Sequence, residues 1–262
     1  MKPSLPQRRA LLCALAPLLC SLPALALPQD PSAIVQEVWS RYRQGGGVEQ
    51  ESVRLRIERE GQATEQKLLN RWTRFEPQGE KVLVRFAEPS ADRGLGLLIV
   101  REAGSGSQMW LRMPSWPQGR RIASDRESRY FGGTDLSFED NRQLLGETLA
   151  DWRYTLVRSS PDGWVIDAQP REPGLSAYGR RRLSITPAYA ISEISYYDPS
   201  GELIKIQRHE ALSVEPSGRW RANRINVENR REGRRSLFEV EQRRFGVVLP
   251  ERQWTAAGLV AE

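Results

Sequence analysis

The side chains that most often carry catalysis or bind metal are scarce in this chain. His209 is the single histidine and lies in a strand-like run at residues 204–209, where we expect a surface or structural role. No G-x-S-x-G motif of an α/β-hydrolase is present. Zinc sites are built largely from cysteine and histidine, and this chain offers no histidine pair. The sequence therefore predicts no metal, no cofactor and no catalytic residue, and we expect that the protein is not an enzyme.

The one local cluster of carboxylates is formed by Asp135, Glu139 and Asp140. Two carboxylates that face a cleft would suit a glycosidase, and sequence alone leaves that alternative open. Helix capping explains the same residues more simply, because acidic side chains near a helix start accept backbone N–H bonds. The favoured interpretation adds salt bridges to a nearby arginine: Arg120, Arg121 or Arg129.

The first 26 residues have the pattern of a cleavable secretory signal. Arg8 and Arg9 precede an apolar run at 10–22, and residues 24–26 (Ala-Leu-Ala) form a small-x-small cleavage site. That run is shorter than the roughly 20 residues of a membrane span. Cys20 follows a leucine rather than the small residue that a lipidation site needs. We therefore predict a signal peptide at 1–26, a single domain at 27–262 and a periplasmic protein.

Removing the predicted signal changes the composition. Both cysteines, at positions 13 and 20, are lost with it, so the mature chain has no disulfide and must be held together by core packing. Loss of Lys2, Arg8 and Arg9 leaves 36 basic and 33 acidic residues, a formal charge of +3. The length suits one sizeable domain.

Hydrophobic periodicity indicates one helix followed by many strands. Asp30 and Pro31 are suited to a helix start, and Ile34, Val38 and Tyr42 recur at helical spacing until a glycine run at 45–47. The period then changes to two, with turn residues between the runs, which is typical of an antiparallel barrel or sandwich. The strand candidates are 53–57, 82–86, 95–99, 109–113, 152–158, 163–169, 179–186, 190–197, 202–210, 219–228 and 235–243.

Residues 114–150 interrupt this strand pattern. Ser137 with Asp140 resembles a helix start, and a short amphipathic helix can follow. Two short helical pieces cannot cover the apolar face of ten or eleven strands completely. The sheet must therefore either fill itself with side chains or leave a cavity for an apolar ligand. Periodicity does not decide between these alternatives.

Three motifs in order resemble the LolA-like family of outer-membrane lipoprotein-sorting proteins. They are residues 110–114 (Trp-Leu-Arg-Met-Pro), 120–122 (Arg-Arg-Ile) and 131–140 (Phe-Gly-Gly-Thr-Asp-Leu-Ser-Phe-Glu-Asp). They match the WLYLP…RRI…F.GTDLSYED pattern of the branch found with RND-type exporters. The resemblance implies a mainly β fold, a half-open antiparallel β-barrel of about 10–11 strands with an N-terminal helix and a short helical lid. It also assigns a family motif to Pro114, Arg120, Arg121, Gly133, Thr134 and Asp135.

The resemblance also implies a hydrophobic cavity for acyl chains. The period-two residues are expected to face it, with aromatic residues at its rim or in its lid, and the predicted ligand-binding residues are Val53, Leu55, Ile57, Trp72, Val82, Val84, Phe86, Leu95, Leu97, Ile99, Trp110, Phe131 and Phe138. Residues 114–145 are the lid candidate, with Gly132 and Gly133 as a hinge. A static loop that closes one end of the barrel is the alternative.

We therefore expect a periplasmic carrier, or chaperone, of lipid or acylated lipoprotein. Its expected partners are an inner-membrane exporter and an outer-membrane acceptor. The alternative is a lipid-sensing regulatory module of the envelope, although such regulators carry a further C-terminal domain for which this chain has no room; an envelope hydrolase is a third. Residues 219–244 hold nine arginines and four glutamates. We expect a solvated outer face there, or a surface for anionic headgroups or an acidic protein, and no nucleic acid.

Overall fold

Thirteen antiparallel strands form one sheet over residues 30–260, the part of the chain that this computed structural model describes. The predicted signal peptide lies outside the described residues. The strands are β1 Val48–Arg59, β2 Glu65–Glu76, β3 Gly79–Glu88, β4 Gly96–Glu102, β5 Ser107–Arg112, β6 Arg120–Arg121, β7 Trp152–Ser160, β8 Gly163–Pro170, β9 Arg180–Ile185, β10 Ile191–Tyr197, β11 Leu203–Val214, β12 Trp220–Asn229 and β13 Arg234–Val247.

The sheet is open rather than closed. Its order is β6-β5-β4-β3-β2-β1-β13-β12-β11-β10-β9-β8-β7, so β6 and β7 are the two edges. Only the pairing of β1 with β13 joins strands that are distant in sequence, and it brings the two halves of the sheet together. The predicted mainly β, half-open antiparallel architecture is confirmed, with two more strands than the sequence suggested.

The two additional strands are β2 and β6, and their sequences explain why periodicity missed them. In β2 the buried positions do not alternate cleanly, because polar Arg71 and Thr73 share the face of Leu69 while Trp72 lies on the other face. β6 has only two residues, which pair with Trp110 and Leu111. A strand of that length has no period to detect.

Helix α1 (Pro31–Tyr42) begins where the sequence predicted. The Asp30 carboxylate accepts a bond from the Ser32 backbone N–H, and Pro31 occupies the first turn. Its apolar stripe packs on the half of the sheet formed by β7–β12, in a buried cluster with Trp164, Tyr196 and Trp220.

Helix α2 (Phe138–Arg142) also begins at the predicted position. Ser137 and Asp140 form a capping box, with each side chain bonded to the backbone N–H of the other. Six short 3₁₀ turns complete the helical content of residues 30–260: Ser90–Asp92, Ser124–Arg126, Gln143–Leu145, Leu149–Asp151, Glu251–Trp254 and Ala257–Leu259. None of these helices has the length and apolarity to cross a bilayer.

Two elements cover the inner face of the sheet. Helix α1 covers the β7–β12 half, and residues 131–145, here called the cover segment, pack on the half formed by β1–β5. The outer face of that second half is covered by the C-terminal turns, where Trp254 and Leu259 pack against Leu83 and Leu98. The inner face between α1 and the cover segment is where a ligand cavity can form.

Candidate ligand-binding site

The predicted apolar residues of β1, β3 and β4 lie together on the inner face. Cross-strand partners share a face, and Val53 pairs with Leu69, which in turn pairs with Phe86. The cover segment adds Phe131 and Phe138; the Phe131 ring lies 5.6 Å from that of Phe86. One buried cluster thus contains Val53, Leu55, Ile57, Val82, Val84, Phe86, Leu95, Leu97, Ile99, Phe131 and Phe138.

The two predicted tryptophans lie elsewhere. Trp72 pairs with Leu83 and Trp110 with Leu98, and these leucines belong to the outer-face cluster around Trp254. The period of two explains the difference, since Leu83 is adjacent to inner-facing Val82 and Val84. Both tryptophans therefore support the C-terminal turns and do not line the inner cavity.

A cavity lies between α1, the cover segment and the inner face of the sheet. The cavity has a volume of about 90 Å³. The space is therefore a narrow apolar slot, and a bulky ligand requires its covers to move apart. It is lined by Trp39, Tyr42, Glu51, Val53, Leu69, Arg71, Val84, Phe86, Phe131, Thr134, Leu136, Asp140, Asn141, Gln143, Leu144, Gln207, His209, Trp220, Arg221, Ala222, Ile225, Phe238 and Val240.

Only some of the predicted ligand-binding residues line this cavity. Val53, Val84, Phe86 and Phe131 line it directly. The remaining apolar members form the packed layer around it, namely Leu55, Ile57, Val82, Leu95, Leu97, Ile99 and Phe138. Sequence reasoning missed the lining from α1, β11, β12 and β13, because the order of the sheet, in which β13 pairs with β1, brings this half beside β1–β5.

Asp135 attaches the cover segment to the sheet. Its carboxylate is fully buried and accepts bonds from Arg234 Nε at 2.9 Å, Asn229 Nδ2 at 2.9 Å and Ser236 Oγ at 2.7 Å. The Asp135 backbone N–H in turn donates to Ser236 Oγ at 3.0 Å. The motif residue Asp135 therefore has a structural role: it bonds the cover segment to strands β12 and β13.

Glu139 and Asp140 attach the next turn of the same segment. Glu139 accepts a bond from Arg181 Nη2 at 2.6 Å and one from the Ala177 backbone N–H at 2.9 Å. Asp140 accepts bonds from the Tyr178 hydroxyl at 2.9 Å and from the Lys205 ammonium. Burial lowers the pKa of Lys205, and the Asp140 carboxylate opposes that shift.

These contacts correct one prediction and confirm another. The predicted helix capping by Asp140 is confirmed. The predicted salt bridges of the carboxylate cluster to Arg120, Arg121 or Arg129 are wrong, because the partners come from β9, β11 and β13. These partners are distant in sequence, and only the sheet order brings them to the cover segment.

The remaining motif residues shape the segment that leads to the cover. Pro114 follows the end of β5, Arg120 and Arg121 form β6, and the Arg120 guanidinium lies 4.5 Å from the centre of the Trp116 ring. Thr134 Oγ1 donates to the Phe131 carbonyl at 2.8 Å and accepts from the Leu136 N–H at 3.1 Å.

The predicted hinge glycines both have a left-handed backbone. Gly132 has φ = 64° and Gly133 has φ = 77°. A Cβ at Gly132 would lie 2.6 Å from the Phe86 ring, so that position needs glycine for close packing as well as for backbone conformation.

One wall of the mainly apolar cavity is charged. Glu51 is buried and accepts bonds from Arg243 Nε at 2.9 Å and Nη2 at 2.7 Å, and from Arg71 Nε at 2.6 Å. Burial alone would raise the pKa of Glu51, but the two guanidiniums outweigh it and hold that pKa below its usual value. The Glu51 carboxylate is therefore ionised at neutral pH.

A third arginine, Arg221, lies in the same wall. Arg221 donates to Glu49 through Nε at 2.9 Å and Nη2 at 2.7 Å, and to the Tyr42 carbonyl through Nη1 at 2.6 Å. The last bond joins β12 to the end of α1. Sequence could have indicated Glu49 and Glu51, since both continue the inward period of Val53, Leu55 and Ile57.

His209 also lines the cavity, in a hydrogen-bonded chain. With its Nδ1–H donating to the Ile191 carbonyl at 3.1 Å, its Nε2 accepts from Gln207 at 2.7 Å, and Gln207 accepts from the Tyr196 hydroxyl at 2.8 Å. Burial lowers the pKa of His209 to about 4, so the imidazole is neutral near pH 7. Both ring nitrogens are engaged, which fits the structural alternative of the surface or structural role predicted for this residue.

The titratable side chains of the cavity wall are held by bonds to their neighbours. Among residues 30–260 no group of three or more His, Cys, Asp or Glu side chains is arranged to hold a metal ion. The described carboxylates of the cavity wall are tied to arginine or lysine. The arrangement offers a narrow apolar slot with one charged wall.

The fold is similar to three solved structures that share little sequence identity with this chain. A domain from Vibrio parahaemolyticus, named as an outer membrane lipoprotein-sorting protein domain, has a TM-score of 0.78 at 20% identity over 87% of this chain and 97% of its own. A DUF1329 family protein from Desulfovibrio piger has a TM-score of 0.76 at 21% identity, over 88% of this chain and 99% of its own. A LolA superfamily protein from Nitrosomonas europaea has a TM-score of 0.61 at 19% identity, over 84% and 97%.

Sequence comparison gives a family. No curated protein matches the chain. Residues 78–260, more than half of the chain, match a family model described as "-like: Uncharacterized protein". The chain therefore belongs to the family of that model, and its fold is that of the LolA-like lipoprotein-sorting proteins.

Proposed function

We propose that this protein is a periplasmic carrier that binds the acyl chains of a lipid or lipoprotein. The observation that supports this most directly is the apolar slot between α1, the cover segment and the inner face of the sheet. Trp39, Phe86 and Phe238 line it from three different elements. Ligand sites of this kind are concave and mostly apolar, with a few polar groups that fix orientation. A chemical reaction is not part of the proposal.

The size of the slot implies that its covers separate when cargo enters. A cavity of about 90 Å³ is too small for a lipid. The predicted lid at 114–145 includes the cover segment, which three buried carboxylates fix to the sheet. We propose that the lid moves as one body and that its three ion pairs to the sheet break together. The alternative is that α1 moves and the lid stays in place.

Release requires an apolar acceptor. Burying one methylene is worth roughly 0.8 kcal/mol, so a palmitoyl chain contributes on the order of 12 kcal/mol before the costs of binding. Escape into water is then slow. We propose that the cargo passes from an inner-membrane donor, such as an RND-type exporter, to an outer-membrane acceptor, and that the predicted signal at 1–26 directs the chain to the periplasm.

The direct test is to identify what the purified protein carries. The full chain, exported from a Gram-negative host and purified without detergent, is extracted with organic solvent, and lipids are quantified by mass spectrometry. We expect about one lipid per protein in the wild type. We expect much less in Ala222→Phe, because the larger side chain projects from the wall and fills part of the cavity. Ala103→Phe, at an exposed turn, is the matched control and keeps its lipid.

The outcomes separate the alternatives. Lipid bound equally by both variants would place it outside the slot and contradict the proposal. A stoichiometric protein partner without lipid would favour a lipid-sensing regulatory module instead.

A further inference from the structure

The charged wall of the cavity contains more positive than negative charge. We call five residues the arginine–glutamate cluster: Glu51, Arg71 and Arg221, which line the cavity, and Glu49 and Arg243, which are ion-paired within the same group. Arg221 pairs with Glu49, and Arg243 contacts both carboxylates, at 3.0 Å and 2.7 Å. Arg71 is left to share Glu51 with Arg243. Three guanidiniums thus face two carboxylates.

Neighbouring charges do not balance this excess. Asp140 also lines the cavity, but its carboxylate is paired with Lys205. His209 is neutral near pH 7. Among residues 30–260 no other carboxylate lies within ion-pair distance of Arg71, Arg221 or Arg243. The cluster therefore has an excess of about one positive charge beside the apolar slot, where an unpaired charge is costly.

Arg71 is the cluster member with donors to spare. Its Nε and Nη2 are directed at Glu51, and its Nη1 donates to no described residue. The Arg71 side chain is 17% exposed, against 3% for Glu51, and it lines the cavity. Arg71 also pairs across the strands with Val84, so its guanidinium lies beside the apolar part of the slot.

We propose that the arginine–glutamate cluster binds the anionic head group of the amphiphile whose chain occupies the slot. The ligand is then a carboxylate or phosphate amphiphile with one net negative charge, held by Arg71 and with its chain directed towards Phe86 and Phe238. Arginine suits this role because its planar fork donates two parallel bonds to either group. The inference rests on the proposed function, which by itself requires only an apolar chain.

The test compares ligands that have the same chain and different heads. Palmitate, hexadecyl phosphate, hexadecanol and hexadecyltrimethylammonium, each below its micellar concentration, displace the neutral fluorophore N-phenylnaphthylamine from the delipidated full chain. We expect the anionic ligands to bind about tenfold more tightly than hexadecanol, a difference of about 1.4 kcal/mol. The ammonium ligand should bind most weakly. The ratio of palmitate to hexadecyl phosphate identifies the head group.

Two variants assign the effect to the cluster. Arg71→Gln should lose about tenfold in palmitate affinity and leave hexadecanol unchanged. Glu51→Gln raises the positive excess and should strengthen palmitate binding, a gain that partial unfolding cannot imitate. Arg54→Gln is the matched control, because Arg54 lies on the outer face with Glu241 and should behave as the wild type.

The outcomes distinguish this inference from the proposed function. Equal binding of palmitate and hexadecanol, or an Arg71→Gln loss that affects both equally, overturns head-group recognition and leaves an apolar carrier. If no ligand displaces the fluorophore, the proposed function itself fails.

Discussion

Asp135→Ala is the substitution from which we expect the clearest loss of stability. The change removes a fully buried carboxylate that accepts bonds from Arg234, Asn229 and Ser236. Asn229 is 1% exposed and Ser236 is fully buried, so bulk water has little access to the donors that lose their acceptor. In the alanine variant the Arg234 guanidinium and the Asn229 amide nitrogen lose this acceptor, and the amide nitrogen keeps only its bond to the Tyr130 hydroxyl at 3.0 Å.

The magnitude follows from burial. Removing one member of a buried ion pair typically costs about 3–5 kcal/mol, because the remaining charge is left uncompensated. The charge of Arg234 stays partly compensated, because its side chain is 15% exposed and also contacts Glu232 at 3.1 Å. We therefore expect a loss of about 3 kcal/mol, at the lower end of that range.

Urea denaturation followed by tryptophan fluorescence measures the loss. Asp135→Asn retains the shape and part of the hydrogen bonding, so it should fall between the wild type and Asp135→Ala. Glu241→Ala is the surface control; its pair with Arg54 is half-exposed, and such pairs contribute about 0–1 kcal/mol. If Asp135→Ala costs no more than Glu241→Ala, Asp135 does not attach the cover segment to the sheet.

Three further outcomes are expected. Leu97→Glu puts a carboxylate into a fully buried apolar position and should cost several kcal/mol in urea denaturation; unchanged stability would mean that the strand register is wrong. Intact-mass measurement of the exported protein should give a chain that begins at Leu27, and a diacylglyceryl mass on Cys20 would exclude that processing. In the chain without its signal cysteines, Asp135→Cys/Ser236→Cys replaces a short polar contact by a disulfide. Its oxidised form should exchange cargo more slowly than its reduced form, whereas equal rates would show that the cover segment is static.

The sequence predicted those parts of the fold that follow from local pattern. Helix α1 begins at Pro31 and α2 has its capping box at Ser137 and Asp140, because caps depend on residues within one turn. The inner face of β1, β3 and β4 was equally predictable from alternation, as Val53 and Val84 illustrate.

The contacts that could not be predicted from the sequence depend on pairing between distant strands. β1 joins β13 across nearly the whole chain, and this pairing puts Arg243 beside Glu51. The same sheet order brings Arg234 to Asp135, where local reasoning had chosen nearer arginines. The prediction for Trp72 was wrong for a related reason. Its own strand, β2, has an irregular pattern, so its face follows from pairing with Leu83 of β3.

Ion pairs account for many of the charged side chains on the outer face of the sheet. Arginines of β1, β11, β12 and β13 alternate with glutamates at half-exposed positions, as in Arg224 with Glu239 and Arg208 with Glu228. An alternating pattern of this kind is typical of a solvated face. The outer-facing arginines of residues 219–244 contact glutamates in the same way, as the interpretation of a solvated face expects.

The central claim is that an apolar chain occupies the slot on the inner face, and photocrosslinking tests it most directly. The delipidated protein is loaded with a palmitate analogue that has a diazirine near the end of its chain, irradiated and digested, and the labelled residues are identified by mass spectrometry. We expect labels on cavity-lining residues of several elements, such as Phe86, Phe131 and Phe238, and a loss of labelling in Ala222→Phe. Labels concentrated on the outer face around Trp254 and Trp72, unchanged in that variant, would contradict the account.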